Sequence, residues 1–285
     1  MMLTHSTPPD QPHMPPHSTR WALAVEYDGR AFCGFQSQPS ACGVQDALTA
    51  AIGEIAGARV AVTCAGRTDA GVHATSQIVH FDAPVPRPES AWVRGVNALL
   101  PASVAVLWAT PVDRAFHARY AAEARHYTYL LHNRAQRVAL DAGRVGWYHR
   151  PLDPAAMHEA AQSLTGTHDF SAFRAAGCQA KTPVRNVWRC EVGHAVVSTG
   201  GLIRIDFSAD GFLHHMIRNI VGALIAVGNG SKPPTWPREL LASRDRTQGA
   251  ATFAADGLYF IGADYPAQFA LPPTRRDIAP IAHFG

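Results

Sequence analysis

The sequence predicts an α+β protein built as two related halves, each a mixed or antiparallel sheet flanked by helices. Three observations lead there. Strand-like alternation and helix-like apolar spacing follow one another in the order β-α-β-β-α-β up to about residue 110. A second mixture of strands and helices fills the remainder, without a close residue-level repeat of the first. The chain has 285 residues, 47% of them hydrophobic. That length corresponds to about two domains, and that apolar content supplies a core. The division expected is a tail at 1–19, a first domain at 20–115, a second at 116–268 and a tail at 269–285.

The elements follow in order. RWALAVEYDG (20–29) places Trp21, Leu23, Val25 and Tyr27 on one face and ends in an Asp28-Gly29 turn. VQDALTAAIGEIAG puts Val44, Leu48, Ala51, Ile52 and Ile55 on a helical stripe, with Gly57 as its stop. RVAVTCAG (59–66) and SQIVHFDA (76–83) read as strands. ESAWVRGVNALL reads as a helix ended by Pro101, and SVAVLWAT as a fourth strand. In the second half, EARHYTYLLH is a strand with Arg125, Tyr127, Tyr129 and Leu131 on one face. DPAAMHEAAQSL is a helix with Asp153 as N-cap and Pro154 in its first turn. VRNVWRCEV and LIRIDFSA are strands, HHMIRNIVGALIAVG an apolar helix, ELLAS a short helix and GLYFIGADY a last strand. Residues 1–19, with five prolines, and 270–285, with three, carry no periodicity and are expected to lack structure.

Composition excludes several classes. No apolar run approaches the ~18 residues of a membrane span; the richest, 217–227, is broken by Arg218, Asn219 and Gly222. The first 19 residues have neither a basic nor an apolar leader region, so no signal peptide is expected. Five cysteines without a CxxC pair argue against a disulfide framework or a zinc ribbon, and for a reducing cytoplasm. GxGxxG and GxxxxGK[ST] motifs are missing, which speaks against dinucleotide or Walker-type nucleotide binding. The net charge of +3 is mild. Lys181 and Lys232 are the only lysines, so the basic surface is arginine, the cation that clamps phosphates bidentately and stacks on bases. An Ala- and Arg-rich genome would give the same bias.

The segment carrying most chemical information is CAGRTDAGVHA (64–74), between two predicted strands. Gly66 and Gly71 bracket Arg67, Thr68 and Asp69, as in a loop whose backbone approaches a ligand. Asp69 there is a nucleophile, a general base, a metal ligand or a turn cap. Arg218 lies near the start of an otherwise apolar helix, where a guanidinium needs a carboxylate partner. Asp69 is the favoured one, with Asp206 and Asp210 competing. Paired so, Asp69 stays ionised at neutral pH, which suits a nucleophile. His214 and His215 read as polar helix-start residues or phosphate contacts. Tyr127 and Tyr129 beside Arg125 fit either base stacking or a half-buried core strand.

GRTDAGVHA, together with EYDG, FCGFQ, VQDAL, GVNALLP, FHARY, ARHYTY, HDFSAFR and HHMIRNIVGAL, resembles the tRNA pseudouridine synthase A family from about Arg20 to Tyr265. The resemblance implies a pseudouridine synthase fold with an active-site cleft between the halves. It implies isomerisation of uridine at positions 38–40 of the tRNA anticodon stem-loop by a cytoplasmic homodimer, with no metal or organic cofactor. Asp69 matches the nucleophile, Tyr127 the tyrosine that stacks on the target base and serves in proton removal, and Arg218 the basic partner of the aspartate. Arg67 matches an arginine entering the space of the flipped nucleotide, and Leu258 an apolar pocket residue. Further tRNA contacts are implied at Arg87, Phe116, His117, Ala118, Arg119, Tyr120, Arg125, Gly177, Cys178, Gln179, Ala180 and Lys181. Two other readings stand beside it: a non-catalytic tRNA-binding module, and a metal-dependent hydrolase using Asp69, His73 and His215.

Overall fold

Alternating apolar residues in strand β1 (Thr19–Tyr27) build the centre of the first half, where it pairs antiparallel with β3 (His73–Ala83) and β4 (Val104–Pro111). The computed structural model of the chain describes residues 18–197 and 200–278. In the second half β5 (Ala124–Asn133), β9 (Gly200–Ala209), β8 (Val184–Val197) and β7 (Gly166–Asp169) form an antiparallel run. The last strand, β10 (Leu258–Asp264), inserts between the halves, parallel to β3 and antiparallel to β5. The expected two sheets are therefore one continuous mixed sheet, ordered β4-β1-β3-β10-β5-β9-β8-β7 among the described residues, with β2 (Thr63–Cys64) beside β3 and β6 (Gly146–Tyr148) beside β5.

The helices form where the sequence places them. Helix α1 (Val44–Ala56) opens with Asp46 accepting from the Gly43 N–H and stops at Gly57, whose φ is 66°. After the π turn Ala91–Gly95 comes the short α2 (Val96–Leu99), so the helix expected over this stretch is only partly α. In α3 (Pro154–Gln162), Asp153 caps the N–H groups of Ala155 and Ala156. Helix α4 (Met216–Gly228) is nearly all buried, and α5 (Trp236–Ser243) packs on it. Side chains of α4 such as Ile220 and Leu224 share one core with Tyr127, Tyr129, Phe207 and Phe260 of the sheet.

Three expectations are corrected. The strand expected over 59–66 pairs only at Thr63 and Cys64; the Val62 carbonyl is instead taken by the Gln45 side chain. Cys33 and Cys42 are joined in a disulfide, a single pair where the cysteine count argued against a disulfide framework. The C-terminal tail, as far as Ile278, lies on the sheet. Gly262 bridges Arg275, Ser76 donates to the Thr274 carbonyl, Trp108 to that of Pro273, and Asp277 pairs with Arg204 at 2.8 Å. Backbone groups and charges dock this segment, which is why hydrophobic periodicity does not reveal it. At the other end strand β1 already begins at Thr19; the expectation of a tail over 1–17 concerns residues outside those described.

Candidate active site

Asp69 sits on the loop joining β2 to β3, where it forms an isolated bridge with Gly34. The Phe35 N–H donates to the Thr68 carbonyl at 2.9 Å. Gly34 has φ +108°, and a Cβ there would fall 2.8 Å from the Thr68 oxygen. Only glycine fits this left-handed, close approach. Arg67 is exposed, Thr68 buried and Asp69 partly exposed, so the loop presents its charged residues to the outside and anchors itself by the threonine.

Arg218 comes to Asp69 from the other half of the chain. Its Nη1 donates to Asp69 Oδ2 at 3.1 Å and its Nε to the Phe253 carbonyl at 2.8 Å. The Phe253 N–H returns a bond to the Arg218 carbonyl at 3.2 Å. Asn219, next in the helix, fixes its register: it donates to the Phe173 carbonyl and accepts from Arg246 and Thr252. Gly222 lets residues 250–253 lie against α4, since a Cβ would fall 2.5 Å from the Ala251 oxygen. The competing carboxylates are engaged elsewhere, Asp206 by Arg204 and Thr128, Asp210 by the Asn186 N–H.

His214 and His215 also face Asp69. Their Nε2 atoms lie 3.5 Å from Oδ1 and Oδ2 respectively. His215, at φ 62°, turns the chain into α4. Burial pushes its imidazole below the ordinary value; His214 and Arg218 add to this and Asp69 opposes it. Asp69, His214 and His215 bring three potential metal donors within 4.8 Å of one another. The Arg218 guanidinium on the same carboxylate competes with any metal cation there. His73, the third member of the hydrolase reading, is turned elsewhere. It accepts from the Gly29 N–H and its other nitrogen lies 2.8 Å from the Gly143 carbonyl, so its ring is fully used.

Tyr127, on β5, packs edge-on against Phe212 and Phe260 at 5.2 and 5.0 Å. Its hydroxyl reaches the Asp69 loop near Gly66, lying 3.5 Å from where a Cβ on that glycine would be. Burial pushes the phenol far above its ordinary value, with Tyr27 and the Asp69 charge adding to it, so Tyr127 stays protonated. Leu258 on β10 is buried opposite Tyr129, on the same sheet face as Tyr127.

The other expected contacts divide by burial. Arg67 and Arg119 line a cleft of about 150 Å³ with Phe35, Gln36 and Gln45. Tyr120 is exposed under the Arg119 guanidinium at 5.6 Å and beside His117 at 4.3 Å. Phe116 and Ala118 are fully buried, and Phe116 packs on Tyr265 and Phe269. Arg125 donates to the carbonyls of Arg119, Ala122 and Asp210, so it holds the loop rather than projecting from it. Within 177–181, Arg174 holds the Cys178 and Ala180 carbonyls, and the Cys178 sulfur accepts from the His214 N–H at 3.4 Å. Gly177, Gln179 and Lys181 thus belong to a loop beside His214. Arg87 donates to the Ile55 carbonyl at the end of α1. Sequence reasoning missed the Phe253 carbonyl that orients Arg218 and the buried Tyr27 and Gln77 beneath the loop. A glutamine inside the apolar strand SQIVHF was the available signal.

A family model described as tRNA pseudouridine synthase matches residues 23–121 and 160–266. The chain is 57% identical to the tRNA pseudouridine synthase A of Thiobacillus denitrificans over 253 residues, 89% of this chain and 96% of that one. It is 55% identical to that of Dechloromonas aromatica over 90% of this chain and 97% of the relative, and 57% identical to that of Chromobacterium violaceum over 89% and 95%. With the match running through both halves, and through the loop and helix that bring Asp69 and Arg218 together, the chain belongs to the tRNA pseudouridine synthase family.

Proposed function

We propose that this chain isomerises uridine to pseudouridine at positions 38, 39 and 40 of the tRNA anticodon stem-loop, with Asp69 as nucleophile. The observation that carries the reading is the Asp69–Arg218 pair at 3.1 Å, made across the two halves beside a protonated tyrosine. Arg218 occupies one carboxylate oxygen. Among the described residues the other has only His214 at 3.5 Å, beyond good hydrogen-bond geometry, and is open to an electrophilic carbon. The reaction breaks the C1′–N1 bond and forms C1′–C5; C5 loses a proton and N1 gains one. Nothing is oxidised or reduced, so the residues need only attack, hold and move protons. A paired uridine must first leave its stack, at a cost of a few kcal/mol. Arginine contacts to phosphate and Tyr127 against the base offset that cost. Arg67, exposed two residues before Asp69, enters the space the base vacates in this reading. Leu258 lines the apolar side of the pocket. Arg87, His117, Arg119, Tyr120 and the 177–181 loop serve the RNA backbone.

The working form in this reading is a cytoplasmic homodimer whose subunits share the tRNA, carried by the family resemblance. No helix among the described residues is long and apolar enough to cross a membrane. The test is tritium release from unmodified tRNA labelled at uridine C5. The protein is expected to release label into water, and Asp69→Ala to abolish release while tRNA affinity stays within about tenfold, because binding rests on phosphates. Binding without release by the parent chain would leave a non-catalytic tRNA-binding module and overturn the proposal.

A further inference from the structure

Beneath the Asp69 loop lies a buried polar cluster that the reaction itself does not use. The Tyr27 hydroxyl, on β1, is 2.7 Å from Thr68 Oγ1. Gln77, on β3, donates from Nε2 to the Gly66 carbonyl at 2.7 Å and to the Tyr27 oxygen at 3.4 Å, and its Oε1 accepts from the Gly66 N–H at 3.4 Å. Tyr27, Thr68 and Gln77 are all buried, Gln77 completely. Because Gln77 donates to the Tyr27 oxygen, the phenol proton is free to go to Thr68. Each side-chain nitrogen and oxygen of the cluster then has a hydrogen-bond partner, and a network so connected rigidifies a site.

The cluster grips the loop at the two residues that flank Arg67. Gly66 is held from β3 and Thr68 from β1, while the Phe35 N–H takes the Thr68 carbonyl from a third direction. With the backbone fixed at 66 and 68, Asp69 has little freedom to leave Arg218. Displacing a reacting group by about 1 Å can lower a rate a hundredfold.

We propose that Tyr27, Thr68 and Gln77 are positioning residues, a buried clamp that sets the Asp69 carboxylate beside Arg218. The proposal rests on Asp69 being the nucleophile, and the parent chain's own tritium release tests that part separately.

The experiment compares the parent with Thr68→Val, which keeps the shape and removes the hydroxyl, and Thr68→Ser, which restores it. Two readouts are taken on the full chain: amide hydrogen exchange of residues 67–70, which needs no activity, and turnover at saturating and limiting tRNA. Thr68→Val is expected to speed exchange at 67–70 about tenfold or more while β1 and β3 stay protected. It should lower kcat by about ten- to a hundredfold with KM within about twofold. Thr68→Ser should return both toward the parent. Tyr27→Phe removes the same bond from its other end, together with the longer one from Gln77, so it should be at least as severe as Thr68→Val and the double variant little worse than Tyr27→Phe alone. Unchanged loop exchange in Thr68→Val would overturn the clamp whatever the activity shows. So would a kcat equal to the parent's, or multiplicative losses in the double variant.

Discussion

Two aspartate–arginine pairs occupy opposite faces of the shared sheet, and they differ in how completely the carboxylate is used. Asp206, on β9, accepts from Arg204 Nε at 3.0 Å on both oxygens and from Thr128 at 2.6 Å, with Arg189 at 3.5 Å. Asp69 has one hydrogen bond from Arg218 and two histidines at 3.5 Å. The two side chains are similarly shielded, at 15% and 21% exposure. Burial therefore does not separate the structural carboxylate from the proposed nucleophile; spare acceptor capacity does. The strand between them shows the same split: Thr128 serves Asp206, and its neighbour Tyr127 faces the Asp69 loop.

Exchanging charge for amide at the two positions gives the largest contrast. Asp69→Asn should lower pseudouridine formation roughly a thousandfold or more, because the amide is no nucleophile. Asp206→Asn should leave turnover within about threefold. A comparable loss of turnover in both variants, measured in single-turnover reactions on the same tRNA, would erase the distinction.

The arginines sharpen it next. Arg218 uses Nε on the Phe253 carbonyl and Nη1 on Asp69, and a lysine ammonium cannot span both. Arg218→Lys is expected to reduce kcat about ten- to a hundredfold. Arg204→Lys should barely change it. Full activity in Arg218→Lys would show that the carboxylate needs only a nearby positive charge, not an oriented one.

Much of this contrast was legible in the sequence, and the reasons are specific. An arginine in the apolar run of α4 requires an acid, and the Gly-rich loop supplied one. Choosing among Asp69, Asp206 and Asp210 required knowing that β10 joins the halves, a pairing between segments distant in sequence. Motif position also could not separate Phe116 and Ala118 from Arg119 and Tyr120: the run FHARY buries the former two and exposes the latter two, and only packing shows which is which. β6 and β7, of three and four residues, are too short to show a period. The Cys33–Cys42 pair stood behind a sound prior on cysteine count that this one loop does not obey.

A smaller effect separates the pairs by stability. Asp206→Asn removes a charge from a half-buried network and should cost roughly 1–3 kcal/mol of unfolding free energy. Asp69→Asn should cost less, because fewer bonds depend on it. Urea unfolding of the two variants gives the order, and a larger loss in Asp69→Asn would reverse the assignment of structural and chemical roles.

The last expected effect concerns what anchors the 116–120 segment as pH falls. His80, buried on β3, accepts the Ala118 N–H at 3.2 Å and so underlies the loop carrying Arg119 and Tyr120. Burial, with His117 and Arg20 adding, pushes its imidazole down to about 3. The unfolded chain takes up that proton near pH 6.5, so the folded state holds fewer protons between these two values. Stability is then full above about pH 6.5 and declines as pH falls toward 3, by up to about 1.4 kcal/mol per pH unit from this residue. His80→Gln keeps an acceptor for Ala118 and cannot be protonated. Between pH 7.5 and 5 the parent should lose about 2 kcal/mol more than this variant in urea unfolding. Equal losses would mean that His80 is not what makes the fold acid-sensitive.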